Sequence, residues 1–326
     1  MPLGPEDQLT SWLRRRVAKH GNDLLGDDAA FLPGTRLAVT VDQQLEGVHY
    51  PKGLPPATIG RRLVAVNLSD AAAVGGCPTL AFLALAAPSG FPIRAILAAV
   101  EEELALHGAR LAGGDLAKSA SLNASLTLLA QRYPRGRWLE RSAAQAGDRL
   151  WIGGTVGESA VGRLLLAHGA RYENGRVRLA PSQEVGKRTS LHARRAVRRH
   201  LLPQPQLELG YWLARRRRAA AIDVSDGTLL DLERLCRSSG VGAVIDAEQL
   251  PLSDGFEECA TLVDADPMEL ALTGGEDYVL LFALPPGIRP PANLGAKAIG
   301  RLRSRRGLEV VGAAVPTQQG WDHFTG

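Results

Sequence analysis

The stretch V-N-L-S-D-A-A-A-V-G-G-C-P at residues 66–78 is typical of the end of an apolar helix, and it carries one carboxylate, Asp70. Apolar residues at helical spacing predict this helix over residues 58–74, and two glycines before a proline stop it. Arg61 and Arg62 are expected on the side of the helix away from its apolar face. An unpaired carboxylate buried in such an alanine-rich setting is costly. Asp70 therefore needs a metal ion or a backbone contact that removes this cost.

Other aspartates share the setting of Asp70, because each lies beside small residues at the end of an apolar segment. They are Asp27, Asp28, Asp42, Asp115, Asp223 and Asp226. Each has an ordinary interpretation when taken alone: Asp27 and Asp28 suit a solvated turn, and Asp226 is explained equally well as a helix N-cap. Together they predict turns that direct carboxylates at one place, where oxygen ligands suit a hard divalent cation.

Three predicted strand ends bear on this site. Residues 37–41 have the composition of a short buried strand, and Asp42 lies at its end. Residues 111–112 form a strand edge before a Gly-Gly-Asp turn. Residues 219–224 form a strand that leads into a helix at 228–236, and the N–H groups at such a junction favour anions.

The 326-residue chain is long enough for two domains, and its 45% hydrophobic content supplies a core for each. A net charge of +4 is small, and the arginine runs are interpreted as solvated helix faces, with a nucleic-acid surface as the alternative. Three cysteines without C-x-x-C spacing indicate reduced thiols and no zinc site. Without a signal peptide or an apolar span of about twenty residues, we expect a soluble cytoplasmic protein that binds neither nucleic acid nor membrane.

The sequence lacks the motifs of several enzyme classes, namely H-E-x-x-H, G-x-S-x-G, C-x-x-C and the P-loop. Phosphoryl transfer depends mostly on positioning and charge neutralisation, so a chain with many aspartates and no obvious nucleophile can catalyse it. The composition of the site therefore favours a magnesium–nucleotide site without a P-loop.

Six motifs occur in an order that resembles the thiamine-monophosphate kinase family: G-D-D-A-A, T-V-D-x-x-x-E-G-V-H, V-N-L-S-D-A-A-A-V-G-G-C-P, G-G-D, I-D-V-S-D-G and G-G-E-D-Y. That family is related to aminoimidazole ribonucleotide synthetase, selenophosphate synthetase and HypE. The resemblance implies an α/β (α+β), two-domain PurM-like fold. Residues 1–140 would form an ATP- and magnesium-binding domain whose mixed sheet builds a homodimer, and residues 141–326 a C-terminal α/β domain. The implied reaction is ATP-dependent phosphorylation of thiamine monophosphate to thiamine diphosphate by direct transfer.

The resemblance also implies roles for individual residues. The implied cofactors are several magnesium ions, with ATP as co-substrate and potassium as an optional further ion. The implied magnesium ligands are Asp28, Thr40, Asp42, Asp70, Asp115 and Asp223, assisted by Asp226 and Asp27. The implied ATP-binding residues are Gly114, Asp115, Arg141, Ser225 and His107. The implied substrate-binding residues are His49, Glu276 and Trp321. From spacing alone, the simpler interpretation of His49 is an imidazole on the protein surface. The simpler interpretation of Trp321 is a residue of a C-terminal tail that docks on the body of the protein.

The chain departs from the family pattern at several positions near these motifs. They are Val41, His107, Leu116, Ala117, Gln206 and Val279. Two alternatives to this kinase therefore stay open: another ATP-using enzyme of the same superfamily, and a nucleotide- or nucleic-acid-binding module that uses the arginine runs.

Overall fold

A computed structural model describes residues 4–19, 24–183, 185–317 and 319–324. The α-helices are α1 (Pro5–Ala18), α2 (Pro56–Ala73), α3 (Ile93–Leu106), α4 (Glu158–Ala167), α5 (Lys187–Leu201), α6 (Leu207–Ala214), α7 (Thr228–Ser239), α8 (Phe256–Thr261) and α9 (Pro267–Thr273). The strands are β1 (Ala30–Phe31), β2 (Leu37–Leu45), β3 (Gly76–Ala87), β4 (Arg110–Lys118), β5 (Asn123–Arg132), β6 (Arg149–Gly153), β7 (Arg171–Glu173), β8 (Arg176–Arg178), β9 (Ala220–Asp223), β10 (Gly242–Asp246), β11 (Leu280–Leu284), β12 (Ala296–Arg303) and β13 (Gly307–Val311).

Two mixed sheets organise these elements. The N-terminal sheet has five strands in the order β1-β2-β5-β3-β4, with β3 and β4 parallel. The C-terminal sheet has six strands in the order β13-β10-β12-β6-β11-β9, with β10 and β13 parallel. The mixed α/β fold class is confirmed, whereas the domain boundary at residue 140 stays a prediction.

Helix α2 lies between the two sheets, because it contacts β2, β3 and β5 on one side and β9, β11 and α6 on the other. A helix enclosed in this way is buried all round rather than along one stripe. Glycines permit the close packing: a Cβ on Gly60 would lie 2.8 Å from the carbonyl oxygen of Ile96, and one on Gly210 would lie 2.3 Å from that of Ala72. The expectation that Arg62 faces away from the packed side is wrong, since Arg62 is 0% exposed.

Two predicted strand ends are also wrong, and the ladder hydrogen bonds explain both. Strand β2 pairs with β5 along its whole length, from Leu37 to Leu45, so Asp42 lies within the strand rather than at its end. Strand β4 pairs with β3 through Lys118, so Gly-Gly-Asp is part of an edge strand and not a turn. In both cases the hydrogen-bonded strand pairing continues beyond the apolar segment from which the strand was predicted.

The N-terminal sheet has one covered face and one open face. On the covered face Leu83 and Leu126 are buried, and α2 packs on their strands β3 and β5. On the open face Val41 is 58% exposed and Phe82 is 40% exposed. Among the described residues, no helix combines the length and the apolar character that crossing a membrane requires. The cytoplasmic location stays a prediction.

Candidate active site

Three carboxylates from distant parts of the chain meet beside α2. Oxygen atoms of Asp28, Asp70 and Asp223 all lie within 4.8 Å of one another. Asp28 comes from the loop before β1, Asp70 from the last turn of α2, and Asp223 is the last residue of β9. We call these three residues the acidic cluster.

Strand β2 adds two side chains to the acidic cluster from its covered face. Thr40 donates its hydroxyl proton to Asp70 Oδ2. Burial raises the pKa of Asp70, and the Asp42 carboxyl group is close enough to raise it further. Because side chains alternate along a strand, Val41 between them points to the open face. A hydroxyl at that position would not reach the acids, so the departure from the family pattern at Val41 removes no side-chain ligand from the cluster.

The cluster holds more negative charge than the protein neutralises. Burial, together with neighbouring carboxylates, raises the pKa of Asp42 to about 6 and the pKa values of Asp70 and Asp223 well above their usual range. In the part of the chain that the structure describes, no lysine or arginine forms an ion pair with Asp42, Asp70 or Asp223, whereas Asp28 is paired with Arg141. Carboxylate and hydroxyl oxygens in this number fit a hard divalent cation.

Arg141 supplies the positive charge at one side of the cluster. Its guanidinium group donates to both oxygens of Asp28, at 3.1 and 2.9 Å, and its backbone N–H donates to Asp27 Oδ1 at 2.7 Å. The structure thus places Arg141 and Asp27 beside the acids. The guanidinium group is engaged by Asp28, and its proposed contact with ATP stays a prediction.

The turn before α7 is held by an acid that the sequence analysis missed. One oxygen of Asp231 accepts the backbone N–H groups of Ser225, Asp226 and Gly227 at 3.1, 3.0 and 3.1 Å. These are the donors that a strand-to-helix junction was expected to offer to an anion, and they are already occupied. Arg234 pairs with Asp226 and with the other oxygen of Asp231. An acid in the first turn of the predicted helix, here Asp231, was the available signal.

Gly114 and Asp115 lie away from the acidic cluster. Strand β4 is separated from β2 by β5 and β3, a distance of roughly 14 Å. Asp115 is paired with Ala84 on the open face, whereas Asp42 faces α2. His107 is the C-cap residue of α3 and lies 3.6 Å from Glu103. Within one chain Gly114 and Asp115 do not share a site with Asp42.

The predicted substrate residues do come together. His49 and Glu276 are close enough that the carboxylate partly offsets the lowering of the His49 pKa by burial. The His49 ring lies 5.3 Å from that of His323, and Trp321 Nε1 donates to His323 Nδ1 at 3.3 Å. The backbone N–H of Trp321 donates to the carbonyl oxygen of Asp226 at 2.8 Å. The C-terminal tail therefore docks beside the S-D-G turn, with the Trp321 side chain 45% exposed.

Comparisons with known proteins identify the family of this chain. A family model described as AIR synthase related protein, N-terminal domain, matches residues 26–130. The thiamine-monophosphate kinase of Salmonella typhimurium is 34% identical over 322 residues, which covers 92% of this chain and 91% of that protein. The chain belongs to the thiamine-monophosphate kinase family. The family member from Aquifex aeolicus is 30% identical over 307 residues, covering 92% of this chain and 93% of its own.

A solved structure within the thiamine-monophosphate kinase family has the same fold. The structure of AaThiL complexed with AMPPCP and TMP has a TM-score of 0.83 and 29% identity, and the match covers 99% of each chain. The resemblance that the motifs carry is therefore confirmed. The class of reaction, phosphate transfer by a kinase, is confirmed with it.

In this member of the thiamine-monophosphate kinase family, Glu276 has buried partners that the sequence did not reveal. Arg62 donates to its Oε1 at 2.5 Å, and His200 Nδ1 lies 3.2 Å from its Oε2. Burial alone would raise the pKa of Glu276, but Arg62 and His200 lower it to about 2. An arginine inside an apolar helix was the only signal that this pairing left in the sequence.

Proposed function

We propose that this protein phosphorylates thiamine monophosphate to thiamine diphosphate, with ATP as the phosphate donor. The observation that carries the proposal is the convergence of Asp28, Asp70 and Asp223 in a chain whose relatives bear that activity in their names. The similarity to AaThiL, complexed with AMPPCP and TMP, supports both substrates.

The donor set fits magnesium ions, which would be held by carboxylates that form no ion pair with a lysine or an arginine of the described residues. Asp42, Asp70 and Asp223 are such carboxylates, with Asp28 beside them and the Thr40 hydroxyl in contact with Asp70. Burial raises the pKa of Asp42, and Asp226 is close enough to raise it further. In the same way, burial and the nearby Asp28 raise the pKa of Asp27. Asp226 and Asp27 would therefore assist the set. Bound magnesium ions would neutralise the phosphates of ATP.

Direct transfer is proposed because the substrate supplies its own nucleophile. A phosphate oxygen of thiamine monophosphate attacks the terminal phosphorus of ATP, the bond to the bridging oxygen breaks, and ADP leaves. The task of the protein is then to hold both phosphates in line. Glu276, His49 and Trp321 would bind the ring system of the substrate, and the neighbouring acidic cluster would face the phosphates.

We also propose that two copies pair through the open face of the N-terminal sheet. Val41 and Phe82 leave apolar surface exposed there, and Asp115 lies on the same face. Since Asp115 is remote from Asp42 in one chain, a role for Asp115 and Gly114 at the nucleotide requires the second copy. Light scattering after size-exclusion chromatography should give a dimer, and Phe82→Glu should give a monomer; a monomeric wild-type protein would refute the pairing.

The test of the reaction is direct. Purified protein is incubated with ATP, magnesium and thiamine monophosphate, and thiamine diphosphate is measured by chromatography after oxidation to its fluorescent thiochrome form. We expect one thiamine diphosphate per ADP formed, and no product when EDTA replaces magnesium. Hydrolysis of ATP without thiamine diphosphate would point to another enzyme of the superfamily. The cytoplasmic location and a potassium requirement are part of the proposal, and replacing potassium by sodium tests the latter.

A further inference from the structure

Arg62 is a fully buried cation whose donors reach three separate segments of the chain. Its Nε donates to Gln44 Oε1 in β2 at 2.8 Å. One terminal nitrogen donates to the backbone carbonyl of His200 at the end of α5, and the other to Glu276 Oε1 at 2.5 Å. The guanidinium carbon also lies 5.9 Å from the centre of the Tyr278 ring. A group with this many fixed partners has one orientation.

The rigid fork of an arginine explains why the residue suits this position. Its donors lie in one plane with fixed angles, so contacts to Gln44, His200 and Glu276 constrain one another. A buried guanidinium without partners would be strongly unfavourable, and these contacts remove that cost. Arg62 belongs to α2 and Glu276 to the loop before β11, so the pair also joins the two halves of the chain.

The carboxylate of Glu276 is fixed from both sides. Arg62 holds one oxygen, and His200 holds the other while lying 3.2 Å from the Ser159 hydroxyl. The backbone of Glu276 has a φ of 57°, which is unusual for a residue with a side chain. Its N–H donates to the carbonyl oxygen of Ser225 at 2.6 Å. Despite these contacts, 19% of the side chain stays exposed, and the carboxylate is close enough to His49 to offset part of the lowering of the His49 pKa by burial.

We propose that Arg62 is a positioning residue for substrate binding, which holds the Glu276 carboxylate in the orientation that receives the cationic ring system of the substrate. The inference rests on the proposed function, because it takes thiamine monophosphate as the substrate. Arg62 does not touch the substrate in this scheme and acts only through Glu276.

Charge alone would suggest the opposite effect, since a positive guanidinium near a cationic ring is repulsive. The balance is decided by what happens to Glu276 when Arg62 is lost. A buried carboxylate deprived of its partner either takes up a proton or moves, because burial of the unpaired charge is too costly. In both cases the substrate loses its anionic contact, so loss of Arg62 weakens binding.

Three single variants and one double variant test this inference. They are Arg62→Gln, Arg62→Lys, Glu276→Gln and Arg62→Gln/Glu276→Gln. The KM for thiamine monophosphate should rise about tenfold or more in Arg62→Gln, as is usual for loss of a group that orients a ligand-binding residue. The KM for ATP should stay within about twofold, since ATP does not use Glu276. Arg62→Lys should recover part of the loss, because it keeps a positive charge beside the carboxylate.

The double variant separates positioning from a general structural effect. If Arg62 acts through Glu276, the double variant should have the same KM for thiamine monophosphate as Glu276→Gln alone. Additive losses, or an equal rise in both KM values, would overturn the inference. Arg61→Gln is the matched control, since Arg61 is its exposed neighbour, 3.8 Å from Glu102, and should leave both KM values unchanged.

The outcomes also distinguish this inference from the proposed function. A wild-type protein that makes no thiamine diphosphate overturns both. An active wild type with an unchanged or lower KM for thiamine monophosphate in Arg62→Gln overturns the role of Arg62 alone. Circular dichroism checks folding of each variant, and if Arg62→Gln does not fold, Arg62→Lys and its combination with Glu276→Gln carry the same comparison.

Discussion

The acidic cluster and the Glu276 region are both built from buried carboxylates at one site, yet the protein treats their charges in opposite ways. Within the described part of the chain, neither Asp70 nor Asp223 forms an ion pair with a lysine or arginine, and burial raises their pKa values. Glu276 is paired with Arg62 and His200, and its pKa falls to about 2. Burial raises the pKa of Tyr278, and carboxylates of both regions, Glu276 on one side and Asp42 and Asp223 on the other, raise it further. Charge that the chain leaves unpaired is available to external cations, whereas charge that it pairs serves to hold one orientation.

The largest expected effect comes from Asp70→Asn. Asp70 contacts Thr40 and Asp42 and lies within reach of Asp28 and Asp223, so its loss removes the shared member of the cluster. Turnover should fall by at least about a hundredfold, while the metal-free protein should melt no lower than the wild type because carboxylate repulsion is relieved. Thiamine diphosphate formation and thermal unfolding in EDTA measure the two effects. Near wild-type turnover would place the cations elsewhere.

Removal of magnesium should distinguish the acidic cluster from the Glu276 region through its effect on the free energy of unfolding. An ion that binds only the folded protein stabilises it by about 2.7 kcal/mol at one hundred times its dissociation constant. We expect magnesium to raise the free energy of unfolding of the wild type and of Glu276→Gln by similar amounts, and to leave Asp70→Asn largely unaffected. Urea denaturation with magnesium or with EDTA measures these differences. A magnesium response lost in Glu276→Gln but kept in Asp70→Asn would reverse the assignment of the two regions.

The sequence predicts the acidic cluster better than the pairing of Glu276, for a physical reason. Each carboxylate of the cluster follows an apolar segment and small residues, as Asp28, Asp70 and Asp223 show. Local composition therefore indicates the ends of the elements that carry them. The burial of Arg62 depends instead on a second sheet closing over α2, and that contact involves residues more than two hundred positions away. Helical periodicity records which side of α2 is apolar, but it does not record that the opposite side is also covered.

The same limit explains the errors at Asp115 and at the turn before α7. Composition identified Gly-Gly-Asp as a turn, but strand pairing with β3 keeps the segment extended and turns Asp115 to the open face. A helix start normally offers free N–H groups, but Asp231 folds back to occupy them. Fold class followed from the order of motifs. The partner of each polar group followed only from tertiary contacts.

The smallest expected effect is the pH dependence of protein stability in the absence of metal. It also distinguishes most directly between the acidic cluster and Glu276. The folded-state pKa of Asp42 is about 6, above its usual 3.8, so the folded state binds the proton more tightly than the unfolded state. Stability should therefore rise as pH falls from about 7 towards 4, by on the order of 2 kcal/mol. Glu276 has the opposite sign: its folded-state pKa of about 2 lies below the usual 4.5, so its contribution is present above pH 4.5 and is lost towards pH 2.

Urea denaturation in EDTA between pH 8 and pH 3 should therefore show a maximum in the free energy of unfolding near pH 4 to 5. Asp42→Asn should flatten the rise on the alkaline side only in part, because Asp70 and Asp223 have pKa values shifted in the same direction. Glu276→Gln should leave that rise intact and remove part of the fall on the acid side. If Asp42→Asn and the wild type gave the same profile between pH 8 and pH 4, the charge of Asp42 would already be compensated within the folded chain. Asp42 and Glu276 would then differ in their position in the site, but not in how the protein compensates their charge.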